Sequence, residues 1–360
     1  MIDSVLCDVL SHFMLDAEAV SCEPYGCGHI NATYCAVTAS GRRYILQRLS
    51  EAAFHDIPGM MNNITLVTEF LRKNAADSRS VLTLIPTRDG ANWIHCDSGY
   101  WRVYDFVEGS LCLQAPETDN DFYESAVGFG TFQQQLAEFP VEKLIEVIPN
   151  FHNTPDRYRI FHETLVRDPL GRAAGVQKEI DFYLAHEEEM GMLQRMRESG
   201  ELPTRVTHND TKLNNVLLDE KTRKALCVID LDTTMPGLSL YDFGDSIRFG
   251  AATAPEDERD LDKLTVDLSR YEIFTRGFVR ACPGLTPLEA ELLPMGAKTM
   301  TLECGLRFLT DYIDGDHYFA VHREGHNLDR TRTQIRLVQE TEAKWQQINA
   351  IIRAVHSNKQ

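Results

Sequence analysis

His208 and Asp210 stand two residues apart, Asn215 follows five residues after that aspartate, and a second aspartate, Asp230, closes the apolar stretch 225–229. Oxygen-bearing side chains in this order suit the movement of a phosphoryl group. One carboxylate must accept the proton of an attacking hydroxyl, while a second carboxylate and an amide oxygen hold a hard cation such as Mg2+ against phosphates. Asp210 fits the base, and Asn215 and Asp230 fit the metal ligands. Lys212 adds a point charge within reach of a transferring phosphate, the alternative being an exposed loop lysine. Asn214 adjoins Asn215, and only spacing selects between them. Asp232 reaches either the metal through water or the acceptor itself, and His208 braces the loop by hydrogen bonds rather than titrating.

Elements around these residues must bring them together. Residues 216–218 and the polar turn 219–224 read as strand and hairpin, which folds Asp230 back beside Asn215. The separation D-x-x-x-x-N is that of protein kinases, and I-D-L-D at 229–232 stands where their D-F-G would be. Further along, Asp242 is expected to accept backbone N–H groups of the loop that carries Asp210, with Asp245 doing the same one turn on.

The first hundred residues read as a small β-rich lobe. A helix over 2–15 opens it, and two strands flank the glycine turn Y-G-C-G-H-I-N at 25–31, where Gly26 and Gly28 permit positive φ or close approach to phosphates. In the strand 43–49 the place of a phosphate-binding lysine falls to Gln47, with Arg48 on the opposite face. Glu69, on a helix over 58–74, is a candidate partner for such a cation, or else a solvated face residue. The strand 100–107 runs into Glu108-Gly109 as a hinge, whose backbone at Asp105, Phe106 and Val107 would bind adenine; the alternative is a core strand with a turn. Helical periodicity then dominates over 126–139, 176–198, 264–281, 286–313 and 328–356. A loop spans 150–158, in which His152 is a hydrogen-bonded residue rather than a ligand. The acidic run 255–263 reads as a solvated helix start. The expected division is 1–108 for nucleotide and 109–360 for catalysis and acceptor, an α+β, protein-kinase-like bilobal fold.

Composition narrows the partners. The 360 residues carry 36 basic and 54 acidic side chains, a net charge of −18 that repels nucleic-acid backbones and anionic lipid. Nine scattered cysteines without a C-x-x-C pair read as reduced thiols, mostly small core fillers. No apolar run reaches a membrane span, and the N-terminus lacks a basic region before its apolar residues, so a cytoplasmic location is expected. Small molecules are the expected partners.

With these motifs the chain resembles the aminoglycoside phosphotransferase and choline kinase superfamily. Longer strings, E-P-Y-G-C-G-H-I-N-A-T-Y at 23–34, R-V-T-H-N-D-T-K-L-N-N at 205–215, Y-D-F-G-D-S-I-R-F-G-A at 241–251, E-C-G-L-R-F-L-T-D-Y at 303–312 and H-N-L-D-R-T-R-T-Q-I at 326–335, are similar to the N-acetylhexosamine 1-kinase group. The resemblance implies transfer from Mg-ATP to the anomeric hydroxyl of N-acetylglucosamine or N-acetylgalactosamine. It carries the base role to Asp210 and Mg2+ ligation to Asn215 and Asp230. It also lays His29 over the nucleotide and makes Thr211, Phe249, Arg307 and Tyr312 candidates for the sugar pocket. The group's aspartate between the turn glycines is Cys27 here, whereas glutamine at the position of Gln47 agrees with the group. Two alternatives remain: a kinase of the same fold for another small alcohol (choline, homoserine, an aminoglycoside), or a nucleotide-binding pseudokinase, which the intact Asp210, Asn215 and Asp230 oppose.

Overall fold

Side chains alternate between two faces along the early strands, and later segments bury one residue in three or four, so sheet precedes helix in this chain. The computed structural model describes residues 2–26, 28 and 30–357. Its first elements are α1 (Ser4–Ser11), β1 (Ala19–Pro24), β2 (Ala32–Thr38), β3 (Arg43–Arg48), α2 (Ile57–Arg72), β4 (Ile94–Cys96), β5 (Gly99–Asp105) and β6 (Ser110–Leu111). Then come α3 (Asp119–Gln135), α4 (Thr154–Arg167), α5 (Gln177–Met190), α6 (Met192–Ser199), β7 (Arg205–Thr207), β8 (Val216–Asp219), β9 (Ala225–Val228) and β10 (Met235–Gly237). Five helices finish the chain: α7 (Ser239–Gly250), α8 (Leu268–Ala281), α9 (Pro287–Asp314), α10 (His326–Ala343) and α11 (Trp345–Ser357). Two units result, the first from Met1–Cys112, Glu138–Pro149 and Leu217–Met235, the second from Leu113–Ala137, Asn150–Val216 and Pro236–Gln360.

The first unit is built on an antiparallel sheet in the order β1-β2-β3-β5-β4. One face buries Tyr44, Leu46, Trp101 and Val103 against Leu6, Val9, Leu10 and Phe13 from the α1 region, each worth about 1.5–3 kcal/mol on leaving water. The register also sets Thr33 opposite Gln47 and Gln47 opposite Arg102, a polar row across three strands. Asp56 caps α2 by accepting from Gly59 N at 2.9 Å. Further along α2, the Asn63 amide donates to the carbonyls of Ile145 (2.9 Å) and Thr234 (3.0 Å), which ties two distant chain segments into this unit. A second sheet, β6-β8-β9, turns at Asp219. The Asp219 carboxylate accepts from Thr222 N and Lys221 N, and these donors, with the Thr222 hydroxyl and Arg79, pull it down to about 2.

The second unit is mainly helical, with α3 packed on α8 and the 28-residue α9 running against α4, α7 and α10. Where α7 crosses α9, Gly244 and Gly296 let the backbones meet. A Cβ on Gly296 would lie 2.5 Å from the Leu240 carbonyl oxygen, and one on Gly244 would lie 2.4 Å from that of Gly296.

Several boundaries differ from the periodicity. The helix expected over 2–15 is confined to Ser4–Ser11. The segment 126–139 starts earlier, at Asp119, because Thr118 and Asp121 form a capping box. Residues 176–198 split at Gly191, and 328–356 splits at Lys344, whose ψ of 8° leaves the helical path. The end of the expected 150–158 loop is helix α4, capped by Asn153. Residues 255–263 start no α-helix: Glu256 pairs with Arg248, and Asp257 with Arg323 and His326, so these acids hold an irregular segment instead of a solvated face. Of the eight described cysteines only Cys22, Cys227 and Cys282 are buried, so most are not core fillers. No helix among the described residues is long and apolar enough to cross a membrane.

The α7–α9 crossing yields a direct check. Gly296→Ala is expected to cost about 1–3 kcal/mol by forcing the helices apart, read as a lowered urea midpoint with an unchanged slope.

Candidate active site

The loop 208–215 ends in a short 3-10 turn, Leu213–Asn215, and the backbone before that turn is held by side chains from α7. Asp242 accepts from His208 N (2.9 Å), Asn209 N (2.8 Å) and the Gln133 amide (2.6 Å). Asp245 accepts from Thr211 N at 3.0 Å. Thr211 and Ser246 complete the clamp, Thr211 Oγ1 donating to the Asp242 carbonyl (2.6 Å) and Ser246 Oγ to the Thr211 carbonyl (2.8 Å). Burial raises the Asp242 carboxyl, against the pull of His208 and the two N–H groups. Asp245 is equally buried, but Arg248 and Lys212 outweigh that burial and hold it below the usual carboxylate value. The expectation that these two aspartates support the loop is met.

Within the clamp Asn209 takes left-handed backbone, φ +64°, a region that asparagine tolerates better than most side-chain-bearing residues. The next residue, Asp210, donates its N–H to His208 Nδ1 at 3.3 Å, so His208 braces the loop, its buried ring edge-on to Phe129. Lys212 Nζ lies 2.7 Å from Asp210 Oδ1 with 45% of its side chain exposed. Partial desolvation opposes its charge, but Asp210 raises its pKa overall. Asn215 donates its amide to Asp210 O (2.8 Å) and Oδ2 (3.2 Å), which turns the amide nitrogen inward and leaves Oδ1 as its donor toward a cation. Carboxylate and amide oxygens of this kind are the hard ligands Mg2+ takes.

Elsewhere in the same unit, polar and ionisable groups follow one another from the loop to α9. Asp245 feels Lys212 and His152, His152 Nδ1 meets Glu303 Oε1 at 3.0 Å, and Glu303 feels Arg307. Arg307 lies among the rings of Phe151, Tyr318 and Phe319, 5.4–5.5 Å from each centroid, and donates to Tyr318 Oη at 3.2 Å. Phe249, partly exposed at the end of α7, stacks under the Arg248 guanidinium at 3.8 Å. Tyr312 is not brought to this place. Five residues beyond Arg307, it is turned about 140° around the helix and packs under Arg172, whose Nη1 donates to its carbonyl. Phe151, Tyr318, Phe319 and the His152–Glu303 pair had no motif to announce them.

The remaining candidates belong to the first unit. Asp230 sits at φ +59°, ψ +57° and opens the short turn Leu231–Thr233. Asp232, on that turn, is buried and directed inward: Oδ1 is 2.5 Å from Arg102 Nη1 and Oδ2 accepts from the Asn31 amide at 2.6 Å. Gln47 Oε1 accepts from Arg102 Nε and Nη2 at 2.9 and 2.8 Å. Glu69 lies exposed on α2, so it is Asp232 and not Glu69 that answers the buried cation. Gly26 adopts φ +79°, which favours glycine, and both Gly26 and Gly28 have open space at the Cβ position. His29 and Cys27 lie outside the described residues. In the segment expected to bind adenine, Asp105 N donates to Thr83 O and Phe106 N to Arg43 O, the Asp105 carboxylate pairs with Arg42, and Val107 O accepts from Ser110 Oγ.

One other group of ligating side chains, His186, Glu189 and Glu342, comes together among the described residues. Lys298 Nζ already stands 2.7 Å from both glutamates and serves as their cation. For the loop clamp, Asp242→Ala is expected to cost about 3 kcal/mol by stranding two buried N–H groups. A displacement of ~1 Å at a catalytic side chain costs about a hundredfold in rate, so a loss of that order in ADP release should accompany the fall in urea midpoint.

Comparison with known proteins places this geometry. Residues 21–280 match the model of a phosphotransferase enzyme family. Among solved structures, a microcompartment-associated aminopropanol kinase is 17% identical with a TM-score of 0.64, the match covering 96% of this chain and 98% of that one. An amicoumacin kinase in complex with AMP-PNP and Ca2+ is 13% identical, with coverage of 94% and 92% and a TM-score of 0.61. A Plasmodium vivax ethanolamine kinase is 14% identical, with coverage of 87% and 82% and a TM-score of 0.53. At such identities the likeness is one of fold, the protein-kinase-like α+β arrangement of a small antiparallel-sheet unit and a larger helical one. Because the family model spans most of the sequence and takes in the whole 205–248 stretch, the chain belongs to the phosphotransferase enzyme family of aminoglycoside phosphotransferase type.

Proposed function

We propose that this phosphotransferase moves the γ-phosphoryl group of ATP to the anomeric hydroxyl of an N-acetylhexosamine. Asp210 accepts the hydroxyl proton as the sugar oxygen–phosphorus bond forms and the bond to the β-phosphate oxygen breaks, releasing ADP and the sugar 1-phosphate. Because an anomeric hydroxyl is more acidic than an ordinary alcohol, a carboxylate base is adequate. Lys212 reaches the transferring phosphate as a point charge. Asn215 and Asp230 hold Mg2+, which when bound neutralises charge on the phosphate oxygens. Residues 1–108 serve the nucleotide, through the turn at Gly26 and the backbone at 105–107, and 109–360 serve the acceptor.

The observation that carries the choice of acceptor is Arg307 in its cradle of Phe151, Tyr318 and Phe319. A guanidinium recognises a carbonyl oxygen, and aromatic faces suit the C–H face of a pyranose, so an N-acetyl sugar complements both. An ammonium-bearing acceptor would meet like charge where an aromatic box would otherwise welcome it. A second reading, an amino-alcohol acceptor, is favoured by the likeness in fold to aminopropanol and ethanolamine kinases and by the net charge of −18.

The test is ADP release with Mg-ATP against N-acetylglucosamine, N-acetylgalactosamine, glucose, galactose, choline, ethanolamine, aminopropanol and homoserine, with phosphorus NMR of the product. Turnover confined to the N-acetyl sugars and a phosphate on the anomeric carbon is expected; silence on both sugars with turnover of an amino alcohol would replace the first reading with the second. Asp210→Asn should bind nucleotide as the wild type does and lose transfer by about three orders of magnitude or more, since general-base help alone is worth 10²–10⁴-fold. Near-normal turnover in that variant would remove Asp210 from the base role.

A further inference from the structure

We infer that Arg102 is a positioning residue for nucleotide-bound metal, acting through Asp232 on the backbone of Asp230 and not by touching phosphate. Where protein kinases carry the strand lysine that contacts phosphates, Gln47 stands here, and Arg102, its cross-strand partner on β5, donates to it. Arg102 is only 1% exposed, and its fork is satisfied inward. Nε and Nη2 hold Gln47 Oε1, while Nη1 holds Asp232 Oδ1 and faces Met61 Sδ at 3.7 Å. A guanidinium so engaged has no reach toward a phosphate.

Its grip instead runs to the turn that begins at Asp230. Thr33 fixes Gln47 (Nε2 to Oγ1, 3.0 Å), Gln47 fixes Arg102, and Arg102 fixes one oxygen of Asp232. The second Asp232 oxygen is fixed by Asn31, whose own oxygen accepts from Ser50 N at 3.0 Å. Three strands therefore converge on a carboxylate two residues beyond Asp230. Asp230 holds a left-handed backbone, φ +59°, at the start of the turn that carries Asp232, and anchoring Asp232 fixes the course of that turn two residues on. Asp232 thus serves as the counter-ion of Arg102, and the doubled aspartate of I-D-L-D divides into one residue for the metal and one for the scaffold.

The inference rests on the kinase reading, and binding measurements keep the two separate. AMP-PNP affinity is measured by calorimetry in EDTA and in Mg2+ for the wild type, Arg102→Lys and the double variant Arg102→Met/Asp232→Asn, with thermal melting alongside. The double variant leaves no lone buried charge, so it is expected to melt near the wild type and to keep its EDTA affinity. Its Mg2+-dependent gain should fall about 10–100-fold, the usual cost of losing a partner behind a metal ligand. A full Mg2+-dependent gain in the double variant would reduce Arg102 to an ordinary structural ion pair and overturn the inference. Arg102→Lys gives the same reading should the double variant not fold: it keeps the charge but cannot grip Gln47 and Asp232 together, so loss of the Mg2+ gain is expected and its retention overturns the inference. A wild type whose affinity ignores Mg2+ would overturn the kinase reading itself, and this inference with it.

Discussion

Everything chemical in the helical unit depends on a single buried carboxylate. The loop bearing Asp210 and Lys212 makes no sheet or helix ladder before the short turn Leu213–Asn215, and Asp242 takes its buried N–H groups at 208 and 209. A buried donor without a partner gives up its full hydration, so losing this carboxylate is costly there. Asp242 can meet both because α7 follows β10 directly and lies against α9 at a crossing that only Gly244 and Gly296 permit. A contact between two helix backbones thus bears on where Asp210 stands.

The sheet unit solves a parallel problem with different chemistry. Its polar row, Thr33–Gln47–Arg102, occupies the face of the sheet opposite the α1 contacts, where an apolar core would otherwise form. Breaking the Arg102–Asp232 pair by removing one partner would leave a lone buried charge, at about 3–5 kcal/mol, while replacing both costs much less. Such a pair is poor evidence of stability for its own sake. Its effect is to specify one geometry for the turn that Asp230 opens.

Both supports adjoin left-handed backbone, at Asn209 next to Asp210 and at Asp230, the proposed metal position. Asparagine and aspartate take this conformation more readily than other side-chain-bearing residues, so each turn is built from residues that suit it. The surroundings of Arg307 differ: aromatic faces and one hydroxyl hold it, contacts softer than a buried carboxylate.

Much of this was legible in the residues. The D-x-x-x-x-N spacing, the apolar strand ending at Asp230, the helical repeat of α9 and the supporting roles of Asp242 and Asp245 follow from local patterns, because short-range spacing and periodicity are properties of the chain itself. The sequence alone determined the order of sheet and helix and the chemistry available to the loop at 205–215. Only the tertiary structure decided that Arg102 answers Gln47 and Asp232 while Glu69 remains exposed, that Tyr312 turns to Arg172 while Tyr318 joins Arg307, and that His152 meets Glu303 across 151 positions. Helix breaks at Gly191 and Lys344 were hidden for the same reason. Which polar groups become partners depends on strand register and helix rotation, and those are set by packing among segments far apart in the chain.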